Sequence, residues 1–242
     1  MNNGQPQQLP LQVQLPDDEL FATFFSADNG QVIDWLTTVA ISERLPPQTS
    51  RYSWLSGPAA SGKSHLLHAT VAAANEQFKK VMYLPMKELQ QVARPAAVLE
   101  GLEQFDVLCV DDVDQVLDNK AWCFELFALI NRITDAQQCR LIMTASQAAA
   151  QSEVHLADLK SRLQWATAYQ LSPLADTEKA QALTLRASWR GLQLPPDVAQ
   201  FMLHRLGRNM RQLLRCLNKL DTASMAQQRR LTIPFVKQTL SI

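Results

Sequence analysis

Between residues 52 and 171 the chain alternates short, largely apolar runs with longer stretches in which apolar residues recur every three or four positions. The runs at 52–55, 81–84, 107–110, 140–144 and 169–171 read as strands, the second closed by Pro85. The run 107–110 is continuously apolar, which suits a sheet buried on both faces. The stretches between the runs read as helices. One spans 31–43, ahead of the first strand, and a second carries Leu67, Thr70, Val71, Ala74 and Phe78 on one stripe. Two short helices fit 86–103, split by Pro95; Cys123, Leu126, Phe127, Ile130 and Ile133 mark another, and 158–165 sets Leu159 and Leu163 one turn apart. This succession predicts an α/β domain over residues 17–173. After Pro173 the strand pattern stops, and helices at about 176–190, 197–206 and 209–227, with a short one after Pro234, predict a small helical domain over 174–242.

Residues 1–16 follow neither pattern. They are rich in Gln and Pro and uncharged before Asp17, so a flexible tail is expected, displaying the short apolar peptide Gln8, Leu9, Pro10, Leu11. The 242 residues are 47% hydrophobic, enough for a real core. Lys and Arg number 23 and so do Asp and Glu, so the basic footprint of a dedicated nucleic-acid binder is missing, although a local patch remains open. The sequence shows no leader and no run long enough to span a membrane, so a cytoplasmic location is expected. Cys109, Cys123, Cys139 and Cys216 are too widely spaced for a zinc or redox pair and are expected in the core. No metal site is expected at His65 and His68, which lack a third ligand at suitable spacing.

The most informative stretch is Gly57-Pro58-Ala59-Ala60-Ser61-Gly62-Lys63-Ser64, two glycines separated by four residues and followed by Lys and a hydroxyl. Between a strand and a helix, this spacing makes a phosphate loop. The glycines let successive backbone N–H groups turn toward an anion at the helix start, Lys63 neutralises the outer phosphates, and the Ser64 hydroxyl suits Mg2+. The apolar run 107–110 ends in Asp111 and Asp112, carboxylates at the end of a buried strand where such sheets bind ligands. Asp111 is expected to hold the magnesium with Ser64, and Asp112 to orient an attacking water. A solvated acidic turn is the alternative. Thr144 and Ser146, at the end of the fourth strand, are candidates for sensing a terminal phosphate. Phe21, Phe24 and Phe25, just before the Asp28-Asn29-Gly30 helix start, are expected in the core or beside a nucleotide base. Arg211 and Arg215, one turn apart on 209–227, either reach phosphates or form a solvated edge.

These boxes, in this order, resemble the AAA+ ATPases, and within them the DnaA branch. The resemblance is carried by Asp111-Asp112, the segment Asp158 to Leu163 with Ser161 and Arg162, and Asn209-Met210-Arg211, and it covers almost everything after residue 17. It implies a P-loop AAA+ parallel-sheet domain with a C-terminal α-helical lid. It also implies a bound adenine nucleotide, ADP or ATP, with another nucleoside diphosphate left open, and Mg2+. By the same resemblance Thr144 is a first sensor, Arg211 a second, and Arg162 an arginine finger. Phe25, Asn29, His65 and Pro173 extend the nucleotide site. DnaA proteins continue into a helix-turn-helix domain, whereas this sequence ends at Ile242. A regulator similar to the Hda-type inactivators of DnaA is therefore expected, with Gln8, Leu9 and Leu11 resembling the peptide by which such proteins dock on the replicative sliding clamp. Gln12 and Val13 stand where that peptide usually has Pro and Leu. The implied partners are DnaA and the clamp, with a homo-oligomer left open and DNA contact mainly indirect. Two other readings stay in play: an autonomous ATPase that loads or remodels a helicase, and a nucleotide-binding adaptor without hydrolytic function.

Overall fold

The computed structural model describes residues 16–45 and 50–242. The clamp-like peptide at Gln8, Leu9 and Leu11 lies outside them. In chain order the elements are α1 (Gly30–Ile41), β1 (Tyr52–Ser56), α2 (Lys63–Glu76), β2 (Val81–Pro85), α3 (Met86–Leu89), α4 (Pro95–Leu99), β3 (Val107–Asp111), α5 (Lys120–Ala136), β4 (Arg140–Ala145), α6 (Ala157–Leu163) and β5 (Thr167–Gln170). Four helices follow: α7 (Asp176–Trp189), α8 (Pro196–Leu206), α9 (Met210–Gln227) and α10 (Ile233–Leu240). The last strand starts two residues earlier than its apolar run suggested, because β5 is an edge strand with exposed residues.

The five strands form one sheet in the order β2-β3-β4-β1-β5, with every pairing parallel. Parallel pairing brings the carboxyl ends together, so the loop after β1, the acids after β3 and the polar end of β4 share one rim. Period-two alternation sorts the two faces. Leu108 and Val110 join Trp54, Trp122 and Leu126 in one core, while Val107 and Cys109 join Leu55, Leu67 and Val71 in the other. A third core, built around Leu183, Met202, Leu217 and Phe235, lies among the four C-terminal helices. Helix starts follow local chemistry: the Asn119 side chain accepts from the Ala121 and Trp122 amides, Asn209 from Gln212, and Thr232 from Phe235. Among the described residues no helix is long and apolar enough to cross a membrane.

Phe78 corrects the predicted core stripe. The α2 helix stops at Glu76, and Phe78 sits beyond it with φ +56° and 97% of its surface exposed. The stripe breaks because the chain must turn into β2, and only a left-handed residue makes that turn in so few steps. A bulky residue pays strain there that glycine does not. Phe78→Gly is therefore expected to raise the stability measured by urea unfolding, by up to about 1 kcal/mol, with Phe78→Ala nearly neutral. A clear loss with glycine would contradict the strain argument.

Candidate functional site

Between β1 and α2 the backbone turns through Ala60 at φ +62° and Gly62 at φ +96°. Gly62 is the residue preceding α2, with no side chain capping the helix and no acid in its first turn. The first N–H groups of the helix thus keep their hydrogen-bonding capacity, and its positive end is uncompensated. Both glycines are required by close approach. A Cβ on Gly62 would meet the Phe24 ring at 2.5 Å, and one on Gly57 would meet the Leu171 carbonyl oxygen at 3.0 Å. The Lys63 ammonium donates to the Gly57 and Pro58 carbonyls at 2.7 and 3.0 Å. Burial lowers its pKa, against the opposing pull of Asp112, Asp111 and Asp114.

The loop opens on a cavity of 590 Å³, a size suited to a small-molecule ligand. Its wall includes Ala59, Ala60, Ser61, Gly62, Lys63, Ser64 and His65 from the loop and helix, Phe25, Asp112, and Arg211 at the start of α9. The Ser61 hydroxyl is buried on this wall without a hydrogen-bond partner. Unpaired amides, an orphan hydroxyl and a lysine fit a phosphate chain. Mg2+ bound with phosphates needs only one or two protein oxygens, which Ser64 and the acids of the rim can supply.

Several predicted residues stand behind the wall. Thr144 is fully buried: its hydroxyl donates to Asp111 Oδ1 at 2.5 Å and accepts from the Asp112 amide at 2.8 Å. Thr144 thus shapes the acidic pair, and Ser146 is the strand-end hydroxyl on the cavity, donating to Asp114 Oδ2 at 2.5 Å. Asp111 also accepts from the Tyr83 hydroxyl at 2.8 Å and is only 5% exposed, so Asp112 and Asp114 form the acidic front. Asp112 adopts φ +50°, and burial raises its pKa, reinforced by Asp111 and opposed chiefly by Lys63. Asn29 spends its amide on the backbone of Ser172, at 3.0 and 3.3 Å, fixing the path through Pro173 into the helical unit. Gly57, Pro58, Asn29 and Pro173 are off the cavity wall. So is Arg162, which lies on α6 with its Cζ 4.0 Å from the Trp165 ring centroid.

Sequence reading missed the group that closes the cavity. The segment before α1 lies over α2, and His65 Nε2 meets the Leu20 carbonyl at 2.9 Å while His68 Nδ1 meets Glu19 at 2.6 Å. From α7, Arg186 donates to the Asp18 carbonyl at 2.7 Å and pairs with its carboxylate at 3.0 Å; Arg190 pairs with the same carboxylate. Glu19, Thr23, Phe24 and Arg186 all line the cavity, joined there from the helical unit by Leu174, Met210 and Leu214. The acidic cluster Asp17-Asp18-Glu19 ahead of the aromatic segment was the available signal, but the partner of Asp18 lies 168 residues away.

A parallel sheet with a glycine phosphate loop, paired acids on the same rim and a helical lid define a P-loop protein of the AAA+ class. The comparisons agree. Residues 15–170 match the bacterial DnaA ATPase domain, and residues 176–240 match the Hda lid domain. The chain belongs to the family of the bacterial DnaA ATPase domain, as an AAA+ protein of the DnaA branch like Hda. Among solved structures, domain III of the Thermotoga maritima replication initiation protein DnaA superposes with a TM-score of 0.74 at 20% identity, covering 94% of this chain and 97% of that one. AMPPCP-bound DnaA from Aquifex aeolicus gives 0.71 at 16%, covering 89% and 69%. The Thermotoga maritima RuvB Holliday junction branch migration motor gives 0.64 at 19%, covering 91% and 72%, so the fold extends beyond DnaA.

The closing group makes stability depend on pH. Burial lowers the His65 pKa, so the unfolded chain takes up a proton before the folded one, and stability falls as pH drops below about 6.5. Burial pushes Asp18 upward, but the Arg190 hydrogen bond and the charges of Arg186 and Arg190 outweigh it, leaving its pKa lowered. That contribution is present above the ordinary carboxylate range and is lost as pH falls through the lowered value. Urea unfolding should therefore show falling stability from pH 7.5 through 6 to 4.5, with His65→Gln flattening the upper part. Asp18→Asn should cost about 1–3 kcal/mol at pH 7.5, because it leaves two guanidiniums short of a counter-charge. A pH-independent midpoint would contradict the assignment.

Proposed function

We propose that this chain is a nucleotide-bound regulator of replication initiation that docks on the sliding clamp and stimulates hydrolysis of ATP held by DnaA, using Arg162 as an arginine finger. One observation carries this reading: Arg211 lines the chain's own cavity, whereas Arg162 lies off it on α6. A guanidinium outside its own site can act only on a nucleotide bound elsewhere. Arriving in trans, it stabilises charge on the transferring phosphoryl group, an effect of about 10³–10⁵ in rate where such fingers operate. The match to the Hda lid domain supports the regulatory assignment, and the AMPPCP held by the Aquifex relative supports an adenine nucleotide in this cavity.

In this reading the chain's own nucleotide is a diphosphate that holds the lid in a partner-competent position. The amides at the start of α2 and Lys63 bind its phosphates, Ser61 and Ser64 supply hydroxyls, and Arg211 approaches from the lid. Mg2+, when bound, neutralises phosphate charge, with Ser64 and the Asp111–Asp112 pair as oxygen donors. Phe24 and Phe25 cover the base end with Leu174 and Leu214. Gln8, Leu9 and Leu11 dock on the clamp. Intact Lys63, Ser64, Asp111 and Asp112 favour a second reading, an autonomous ATPase that loads or remodels a helicase; it requires fast ATP turnover by the purified chain alone.

Arg162→Ala should abolish stimulation of DnaA ATP hydrolysis on clamp-loaded DNA while leaving nucleotide binding by this chain unchanged in calorimetry. Persistent stimulation would remove the finger assignment. Deleting residues 7–13 should eliminate clamp capture in a pull-down, and undiminished capture would refute the docking peptide.

A further inference from the structure

We infer that Trp165 is a positioning residue for Arg162, holding its guanidinium by the indole face so that its N–H donors stay available to a partner's phosphate. The inference rests on the finger role proposed above. Arg162 Cζ lies over the Trp165 ring at 4.0 Å from the centroid, with the Phe127 ring at 6.0 Å. Among the described residues no carboxylate pairs with Arg162. Arg229 also lies over a ring, Phe235, at 5.0 Å, but donates to Gln238 as well, and three other arginines are held through their donors alone. Arg132 spends Nε on Glu103 and a terminal nitrogen on the Leu99 carbonyl; Arg140 spends both terminal nitrogens on the Val39 and Glu43 carbonyls; Arg190 is committed to Asp18. Each is fixed through its donors and has few left to give. A guanidinium carries its five N–H groups around its edge, so one held through its face keeps them for a bidentate grip on phosphate.

The platform is itself anchored. The Trp165 amide donates to the Arg162 carbonyl at 3.0 Å, closing the end of α6, and the Trp165 carbonyl accepts from the Ser50 hydroxyl at 3.1 Å, just ahead of β1. The backbone of the ring is thus tied both to the arginine's own turn and to the strand that leads into the phosphate loop. Trp165 is 49% exposed, so filling a core does not account for it. An arginine already confined on such a face surrenders less rotamer freedom on meeting a phosphate than one sampling solvent. The sequence spacing Arg162 to Trp165, one helical turn, is what permits the stack.

The test uses the full chain with ATP-loaded DnaA on clamp-bound DNA and follows hydrolysis while the chain's concentration is varied. Trp165→Leu keeps apolar bulk without the π face, and Trp165→Phe keeps a smaller π face. Trp165→Leu should lower the saturating rate about fivefold, with the half-saturating concentration moving by less than about twofold, and Trp165→Phe should restore most of the rate. In the free protein, the Arg162 Nε–H resonance should carry an indole ring-current shift that Trp165→Leu removes. Equal losses in both variants, a loss confined to half-saturation, unchanged rates or an unshifted resonance would overturn the inference. Arg162→Ala is measured in parallel. If it is inactive while Trp165→Leu is normal, the finger stands and only the platform falls; if Arg162→Ala is fully active, the function proposed above fails, and the platform with it.

Discussion

The carboxylate of Asp18 pairs with two guanidiniums of α7, Arg186 and Arg190, and the nucleotide cavity depends on that pairing. Asp18 is 27% exposed and Arg186 only 5%, so the charges interact where solvent screens them weakly. One end of the short segment from Asp18 to Phe24 is thereby fixed to the helical unit. The other end is fixed to α2 through Glu19 and His68, through Leu20 and His65, and through Phe24 against Gly62. The phosphate loop, the covering segment and the lid are thus joined in one buried polar group. Breaking any one partner strands the others, which makes the arrangement cooperative.

In the proposed function that coupling carries the effect of a bound phosphate beyond the loop. Lys63, Asp112 and Arg211 lie within each other's electrostatic reach, so charge placed on the loop changes the balance at the rim and at the lid together. Thr144 ties the acids of β3 to β4, and Asn29 ties α1 to the chain leaving β5. Arg162 lies apart from this network, on α6, which follows β4. The cavity and Arg162 are therefore parts of one chain that do not share a wall. In the proposed function the first sets the geometry in which the second is presented.

Much of this was legible in the residues. Parallel strands, the glycine loop and the acidic pair are local patterns, in which neighbours in sequence do the chemistry, and they fall where the periodicity puts them. Arg211 reaches the cavity because an amphipathic helix has a predictable edge, and its Met210 and Leu214 turn out to serve that wall as well. Most of what could not be read depends on partners far away in the chain, and one miss on a local turn. Phe78 matched a helical stripe, but the need to turn into β2 overrode it. Thr144 and Asn29 have the residue types of ligand contacts, and each is consumed by a backbone or carboxylate that only the folded chain brings near. Asp18 had no recognisable spacing to Arg186, and the two histidines excluded as a metal pair proved to be anchors for the covering segment.

The central claim is that this chain's nucleotide is a positional signal and that the hydrolysis which matters occurs on a partner. The most direct measurement is a single-turnover assay with labelled ATP preloaded on DnaA, clamp-bound DNA, and this chain loaded with ADP. The account predicts faster loss of the DnaA-bound ATP with the ADP-loaded chain. No acceleration, or acceleration only when this chain holds and turns over its own ATP, would contradict it.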